Sequence, residues 1–524
     1  MLKDPLYNLV AKLTAAILAI IVLCHFVHGY GLLVPAVLGL FYALKGNAGV
    51  SLLVYVCLPV FAMLSPLLFQ RGTAFAMISR LTSLALAGAL VLGGAKRHGE
   101  EKLPLGYIFF YLVIALISSI QGWFPLISYF KLLNFVAFFM GLYIGTKNIN
   151  QKKEDVLLVR SGILAIAVII IWGSLASLAY PPMAYLTSLR NVINSDGLEV
   201  AAEVASESDY KGLFTGVTGQ SQFLGPCLAC LAGWIACDML FIERRIRLLH
   251  LLLLAPTPVM LAMTRSRTGM LTFCLLLAVL MFYCLPRIQL PEKERNKVKG
   301  LIFSFAFIIV ALAVLLEARN GTVSRLIRKS NDLEDDQRTL VEAFTGSRQG
   351  KIEECMRDFH LNPLWGKGFQ VIPEHVELFR TGQISIFSAS IEKGILPLMV
   401  LGETGIIGAI AFVFFLYMFF SEASKKKYIA TITLFCALLT SNLSEATFFS
   451  PGGAGGVFWM LTVGGGFIID MNLKTANEES AALGTAPVNP SRRTRLSSDQ
   501  IRAEKAKQKT KRGNIKFSKR IMFR

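Results

Sequence analysis

Charge is scarce in this chain. Only 17% of its 524 residues are Asp, Glu, Lys or Arg, where a soluble protein carries about 25%. Apolar residues make up 54% and the mean hydropathy is +0.56, which excludes a soluble globular enzyme. The apolar stretches also lack the alternation of a membrane barrel, because they run without interruption for about 18–25 residues. No Walker sequence, HExxH, GxSxG or dinucleotide fingerprint is present. No internal repeat stands out. Of nine cysteines, eight lie in apolar runs, and Cys355 alone sits in a large loop without a disulfide partner there. Cys227-Leu-Ala-Cys230 has a redox spacing, but with no second pair and no nearby His it reads as small packing residues. There is no cleavable signal peptide, and Lys3 ahead of the first apolar run fits a retained signal anchor.

What remains is hydrocarbon-length sequence. Apolar segments fall at roughly 9–29, 31–45, 50–69, 74–93, 104–121, 127–145, 157–179, 221–242, 247–264, 267–285, 300–317, 395–420, 428–445 and 452–470. The first two are short and close enough to form a re-entrant pair. The fold class is therefore all-α: a polytopic helical membrane protein of about 12–14 transmembrane helices. Residues 1–475 form the transmembrane domain, with two long outer loops at about 180–220 and 318–393. Helical patterning runs from Gln337 to Phe359 in the second loop, followed by the turn-rich Asn362-Pro363-Leu364-Trp365-Gly366-Lys367-Gly368.

Orientation follows from basic residues in short connections. Lys96, Arg97 and Lys102 share one connection, and Lys147, Lys152 and Lys153 another. Arg244, Arg245 and Arg247, the stretch Arg287 to Lys299, and Lys425 to Lys427 complete the set. All five fall on one side, with both termini, and that side is expected to be cytoplasmic. Much of the net charge of +19 sits in the tail, where 14 Lys/Arg face four acids from Lys474 onward. Residues 476–524 have no apolar core and read as a disordered or weakly helical tail. Beside a membrane domain, such a tail fits the anionic lipid surface, and no nucleic-acid partner is expected.

The sentence Ala262-Met263-Thr264-Arg265-Ser266-Arg267-Thr268-Gly269 then stands out. It joins two apolar segments on the expected outer side, against the charge bias. A charge near a helix centre in hydrocarbon costs roughly 2.5–3.5 kcal/mol, and a helix N-terminus adds its own positive pole. Snorkelling arginines are the plainer reading; a phosphate-bearing ligand is the sharper one, since guanidinium binds phosphate bidentately. In the outer loop Arg338 opens an amphipathic helix and Arg357 follows it. Glu403 lies in Gly402-Glu403-Thr404-Gly405-Ile406-Ile407-Gly408 at the expected start of a span, with Glu392 and Lys393 just before. His360 and His375 are the histidines of the outer loops, either of which could act as a general base. Lys211-Gly212-Leu213-Phe214 and Gln222-Phe223-Leu224-Gly225 lead from the first outer loop into a span. Arg80 and Lys131 are intramembrane charges read as partners of other helices.

In order, these pieces resemble the O-antigen ligase and O-antigen polymerase superfamily of bacterial inner-membrane glycosyltransferases. The resemblance covers about Lys211 to Phe420. It rests on the Lys-Gly-Leu-Phe turn, Ser-Arg-Thr-Gly, Asn-Pro-Leu-Trp-Gly-Lys-Gly-Phe and Leu-Gly-Glu-Thr-Gly-Ile-Ile-Gly. It implies metal-independent glycan transfer, without cofactor, at the periplasmic face of the inner membrane, in lipopolysaccharide or exopolysaccharide biosynthesis. The implied donor is an undecaprenyl-pyrophosphate-linked glycan, and the acceptor a sugar or lipid hydroxyl. By matched motif Arg267 and Arg265 hold the pyrophosphate, and Arg338 is a looser match to the loop arginine; Arg357 is a further candidate phosphate ligand from its place in the loop. Lys211 and Gln222 stand where the family has an arginine or asparagine. The family's His-Asn pair shortly before the glutamate is replaced by Ser390-Ile391-Glu392-Lys393-Gly394. Glu392, His360, His375 and Glu403 are thus the candidate catalytic residues. Two other readings stand beside transfer: a transporter or flippase for a glycolipid or anion, and a non-catalytic subunit of envelope polysaccharide assembly. A transporter favours inverted repeats and midplane sites, neither of which is visible.

Overall fold

The computed structural model describes residues 4–65, 68, 75–94, 104–149, 153–185, 191–193, 199–201, 213–244, 246–287, 292, 295–300, 302–304, 307, 311, 349–371, 395–443 and 447–482. Among them eight helices are long and apolar enough to cross a membrane, and five shorter apolar helices lie beside them. The chain is an all-α polytopic membrane protein. The expected segment at 300–317 falls mostly outside the described residues.

The helices are α1 (Pro5–Val27), α2 (Leu33–Leu44), α3 (Ala48–Met63), α4 (Phe75–Gly94), α5 (Ile108–Gln121), α6 (Pro125–Ile149), α7 (Lys153–Ser177) and the short α8 (Pro181–Tyr185). Then come α9 (Ser221–Cys237), α10 (Leu248–Leu254), α11 (Thr257–Thr264), α12 (Arg267–Val279) and α13 (Gln349–Leu361). The last four are α14 (Leu396–Lys425), α15 (Ile429–Ser441), α16 (Gly453–Trp459) and α17 (Phe467–Ala482). α17 thus continues seven residues past the expected end of the transmembrane domain at 475. A two-strand antiparallel hairpin, β1 (Asn191–Ile193) with β2 (Glu199–Ala201), lies in the connection between α8 and α9.

Local sequence sets the helix ends. Asn47 caps α3 by accepting from the Val50 amide at 3.3 Å, and Ser266 caps α12 by accepting from the Gly269 amide at 3.2 Å. Pro125 opens α6, and Pro397 lies in the first turn of α14, positions that need no amide donor. α9, α12 and α16 run on into π-turns at Asp238–Glu243, Leu280–Cys284 and Met460–Gly466. α9 is central, with 94% of its apolar window buried against 22% for α1. Cys227 and Cys230 are buried in its packed face. A second core of rings, with Phe135, Phe412, Phe435, Phe448, Phe449 and Trp459 edge to face, joins α6, α14, α15 and α16.

Short connections make successive helices antiparallel, so the bundle has two ends. α3, α5, α7 and α11 finish at the end where α6, α9, α12 and α14 begin. The quoted motifs gather there, and this is called the motif end. The other end holds Lys147, Lys153, Arg244 and Lys425 to Lys427, and there Asp4 pairs with Arg247 at 2.7 Å.

Candidate functional site

The arginine sentence forms a tight turn between α11 and α12. Arg265 ends α11 in the left-handed region, at φ 49° and ψ 27°, a conformation costing a residue with a Cβ about 1–2 kcal/mol. Its amide donates to Ala262 O at 3.2 Å. The Ser266 amide donates to Thr264 Oγ1 at 3.3 Å, and Ser266 Oγ caps α12. Arg267 is the first helical residue, half-buried, with its Nε and Nη2 atoms sealed from solvent. Arg265 is also half-buried. Among the described residues no carboxylate is paired with Arg265.

Glycine holds this turn against α9. A Cβ on Gly269 would stand 2.6 Å from the Gly225 carbonyl carbon, so the two backbones are in contact. Gly225 likewise lies directly under Ser266. Gln222, one turn earlier on α9, is thereby brought to the same corner as Arg265 and Arg267. The preceding segment closes the corner. The Phe214 amide donates to Met263 O at 3.3 Å, and those of Thr215 and Gly216 to Ala184 O at 2.7 and 3.2 Å. Val217 bonds to Ser174 Oγ at 3.1 Å and, through its carbonyl, to the Ser65 amide at 2.7 Å. The Leu-Phe of the motif is buried here, while Lys211 lies outside the described residues.

A second patch forms where the Asn-Pro-Leu-Trp-Gly-Lys-Gly loop meets α14. Glu403 was expected at a helix start. Instead α14 begins at Leu396 and breaks at Gly405, whose φ is 65°. The break is needed because the loop occupies the space against which a continuous helix would pack: the Ile406 amide donates to Pro363 O at 2.9 Å. In return, carbonyls of the broken turn accept from the loop. Lys367 N donates to Gly402 O at 3.1 Å and Gly368 N to Glu403 O at 3.0 Å. On the other side the loop is held by α5 and α6. Ser118 Oγ reaches the carbonyls of Trp365 and Glu403, the latter at 2.9 Å, and Phe369 N donates to Ser119 Oγ at 3.3 Å. Trp123 N donates to Lys367 O at 3.1 Å, and Lys131 Nζ to Gln370 O at 3.2 Å. Lys131 was read as a partner of another helix; the bond it makes here is to this loop.

This arrangement sorts the remaining candidates. Glu403 is 1% exposed, with both carboxylate oxygens buried near Tyr111. Arg357 and His360 are exposed on α13, together with Glu353. Arg338, His375 and Glu392 lie outside the described residues. Sequence reasoning passed over Lys367, Asp358, Ser118 and Ser119. Lys367 is 2% exposed and pairs with Asp358, itself buried. Its only signal was its place in a quoted motif.

Buried charge also occurs at the far end. Asp238 is fully buried and accepts from Arg160, at 2.8 Å for Nη2, with His250 Nε2 2.9 Å away. Glu243 pairs with both Arg160 and Arg247. A small cavity lined by Ala43, Gly46, Leu90, Gly93 and Asn148 also lies there, away from the motif end.

Residues 250–413 match the family described as O-antigen ligase. The matched span contains the arginine turn, α13, the loop and the α14 break, and stops short of Lys211 and Gln222. No curated protein matches the chain. The family match supports a glycan-transfer role in envelope polysaccharide assembly for a multi-pass bacterial membrane protein.

Proposed function

We propose, proceeding from the O-antigen ligase superfamily assignment of residues 250–413, that the chain transfers a glycan from an undecaprenyl-pyrophosphate donor to a sugar or lipid hydroxyl. Transfer takes place at the periplasmic face of the inner membrane, with both termini cytoplasmic. The observation that carries this reading is the Arg265-Ser266-Arg267 turn. Two guanidiniums and a helix N-terminus stand at one end of the bundle, fixed against α9 by the Gly225–Gly269 contact.

In the transfer, the acceptor hydroxyl oxygen bonds to the anomeric carbon. The bond from that carbon to the pyrophosphate oxygen breaks, and the lipid pyrophosphate leaves with the electron pair. Arg265 and Arg267 stabilise the charge that grows on the departing diphosphate, with Gln222 beside them and Arg338 and Lys211 as further donors from the outer loops. Fixed donors in a water-poor site act without reorganisation, and one is worth about 10²–10³ in rate. The hydroxyl proton goes to a base on the outer loop. Among the described candidates His360 is exposed and Glu403 is sealed, so His360, next to Arg357, takes this role, and Glu403 supports the loop. Glu392 and His375 compete for it.

The experiment is a cell in which the Arg267→Ala chain replaces the parent. Surface glycan attachment or length should drop by about two orders of magnitude, while the membrane content of the chain stays the same. Unchanged glycan at unchanged protein level would end the catalytic reading.

A further inference from the structure

The face of α13 that carries Arg357 and His360 is only useful if the helix is held at a fixed rotation. Its other face shows how. Cys355 and Asp358 are buried against the broken start of α14, where a Cβ on Gly402 would meet Cys355 O at 3.1 Å and Asp358 Cβ at 3.6 Å. Beneath them the ammonium of Lys367 pairs with Asp358 and lies 3.9 Å from Glu354. Lys367 is itself fixed at both ends of its backbone, by Gly402 through its amide and by Trp123 through its carbonyl. A point charge anchored to α14 and to the α5–α6 turn therefore pulls on one position of α13. At 3.6 residues per turn, His360 stands roughly 200° round the helix from Asp358 and Arg357 about 100°. Drawing Asp358 inward turns both outward. Apolar packing alone would hold α13 down but would not define this rotation, because it lacks direction. Burying an ammonium and a carboxylate is itself costly unless they meet.

We infer that Lys367 is a positioning residue: its buried ion pair with Asp358 seats α13 on the α14 break and aims the Arg357–His360 face at the acceptor side of the reaction. The seating rests on geometry alone, and its consequence for transfer rests on the proposed function. The native thiol of Cys355 reports the seating, since it is covered only while α13 is down.

The test uses the full chain in lipid nanodiscs, as parent, Lys367→Met, Lys367→Arg and Asp358→Asn. Modification of Cys355 by a bulky charged maleimide is followed by mass spectrometry of its peptide. Binding of undecaprenyl pyrophosphate is measured on the same samples, and glycan transfer in cells. In Lys367→Met and Asp358→Asn, Cys355 should react about fivefold faster or more, as expected of a locally opened element. Transfer should fall about tenfold or more, since small misplacements are costly in catalysis, while the Kd for undecaprenyl pyrophosphate stays within about twofold. Lys367→Arg should restore both slow labelling and transfer. Unchanged Cys355 reactivity in Lys367→Met overturns the clamp. So does a loss of lipid binding in step with transfer, which would mark a general structural role. Faster labelling with unaltered transfer overturns the positioning claim. If the parent itself transfers no glycan, the proposed function fails, and the labelling comparison still decides the seating.

Discussion

Asp238 at one end of the bundle and the Arg265–Arg267 turn at the other both hold charge inside a membrane domain, yet they are built differently. Around Asp238 the chain supplies both signs. Arg160, Glu243, Arg247, His250 and Asp4 come from four separate stretches and meet as close pairs. At the Arg265–Arg267 turn the charges are positive, they are held by backbone geometry and helix capping, and among the described residues no carboxylate pairs with Arg265. A charge in an apolar setting is therefore not in itself a sign of function. What separates the two regions is how the charge is held: at Asp238 by pairing between helices, at Arg265 by the turn itself.

The difference can be broken most directly at Asp238. Asp238→Ala removes the acceptor of Arg160 and His250 and leaves a guanidinium buried with Glu243 alone. Loss of one partner of a buried pair costs about 3–5 kcal/mol, so folded chain extracted in detergent should melt far earlier or fail to accumulate. A parent-like melting curve would show that the far-end network is not structural. At Gly405 the effect should be smaller. Gly405→Ala places a side chain at φ 65° beside the Leu364 carbonyl, a strain of about 1–3 kcal/mol. Melting should drop by a few degrees and transfer should fall with it, because the loop and α13 rest on that break. Retained transfer at a lowered melting point would detach the loop from the site.

The contrast also explains what could be read from the sequence. Helix ends at Ser266 and Asn47 follow from local capping, and Arg265, Arg267 and Gln222 lie on short glycine-bounded segments that encode their own geometry. The Asp238 cluster was invisible. Its bonded partners lie up to 243 positions apart, each is a single charge inside a hydrophobic window, and which ones meet depends on how α1, α7, α9 and α10 pack. The Lys367–Asp358 pair lies only nine positions apart, but its burial depends on α5, α6 and α14. Glu403 was expected at a helix start. The helix begins about two turns earlier, and the glycines, read as sites of close packing, admit the loop.

The finest discrimination lies at Arg265, where one residue provides both a left-handed turn and a guanidinium. Arg265→Ala keeps the strain and loses the charge. Arg265→Gly loses the charge and also frees the turn, so a loss of binding there cannot be laid to backbone strain. Glycine adopts φ near 49° without penalty, and a left-handed residue just past a helix end is where glycine is favoured. The relief is offset by the greater freedom of glycine in the unfolded chain, so stability should change by no more than about 1 kcal/mol. If the guanidinium serves a diphosphate, the same substitution should weaken binding of undecaprenyl pyrophosphate by the worth of a charged hydrogen bond, about 1.5–3 kcal/mol, or roughly ten- to a hundredfold. Binding and melting thus move apart at Arg265, whereas at Asp238 the loss falls on folding. A melting point lowered by many degrees with lipid binding intact would move Arg265 into the same class as Asp238 and leave Arg267 to carry the site without it.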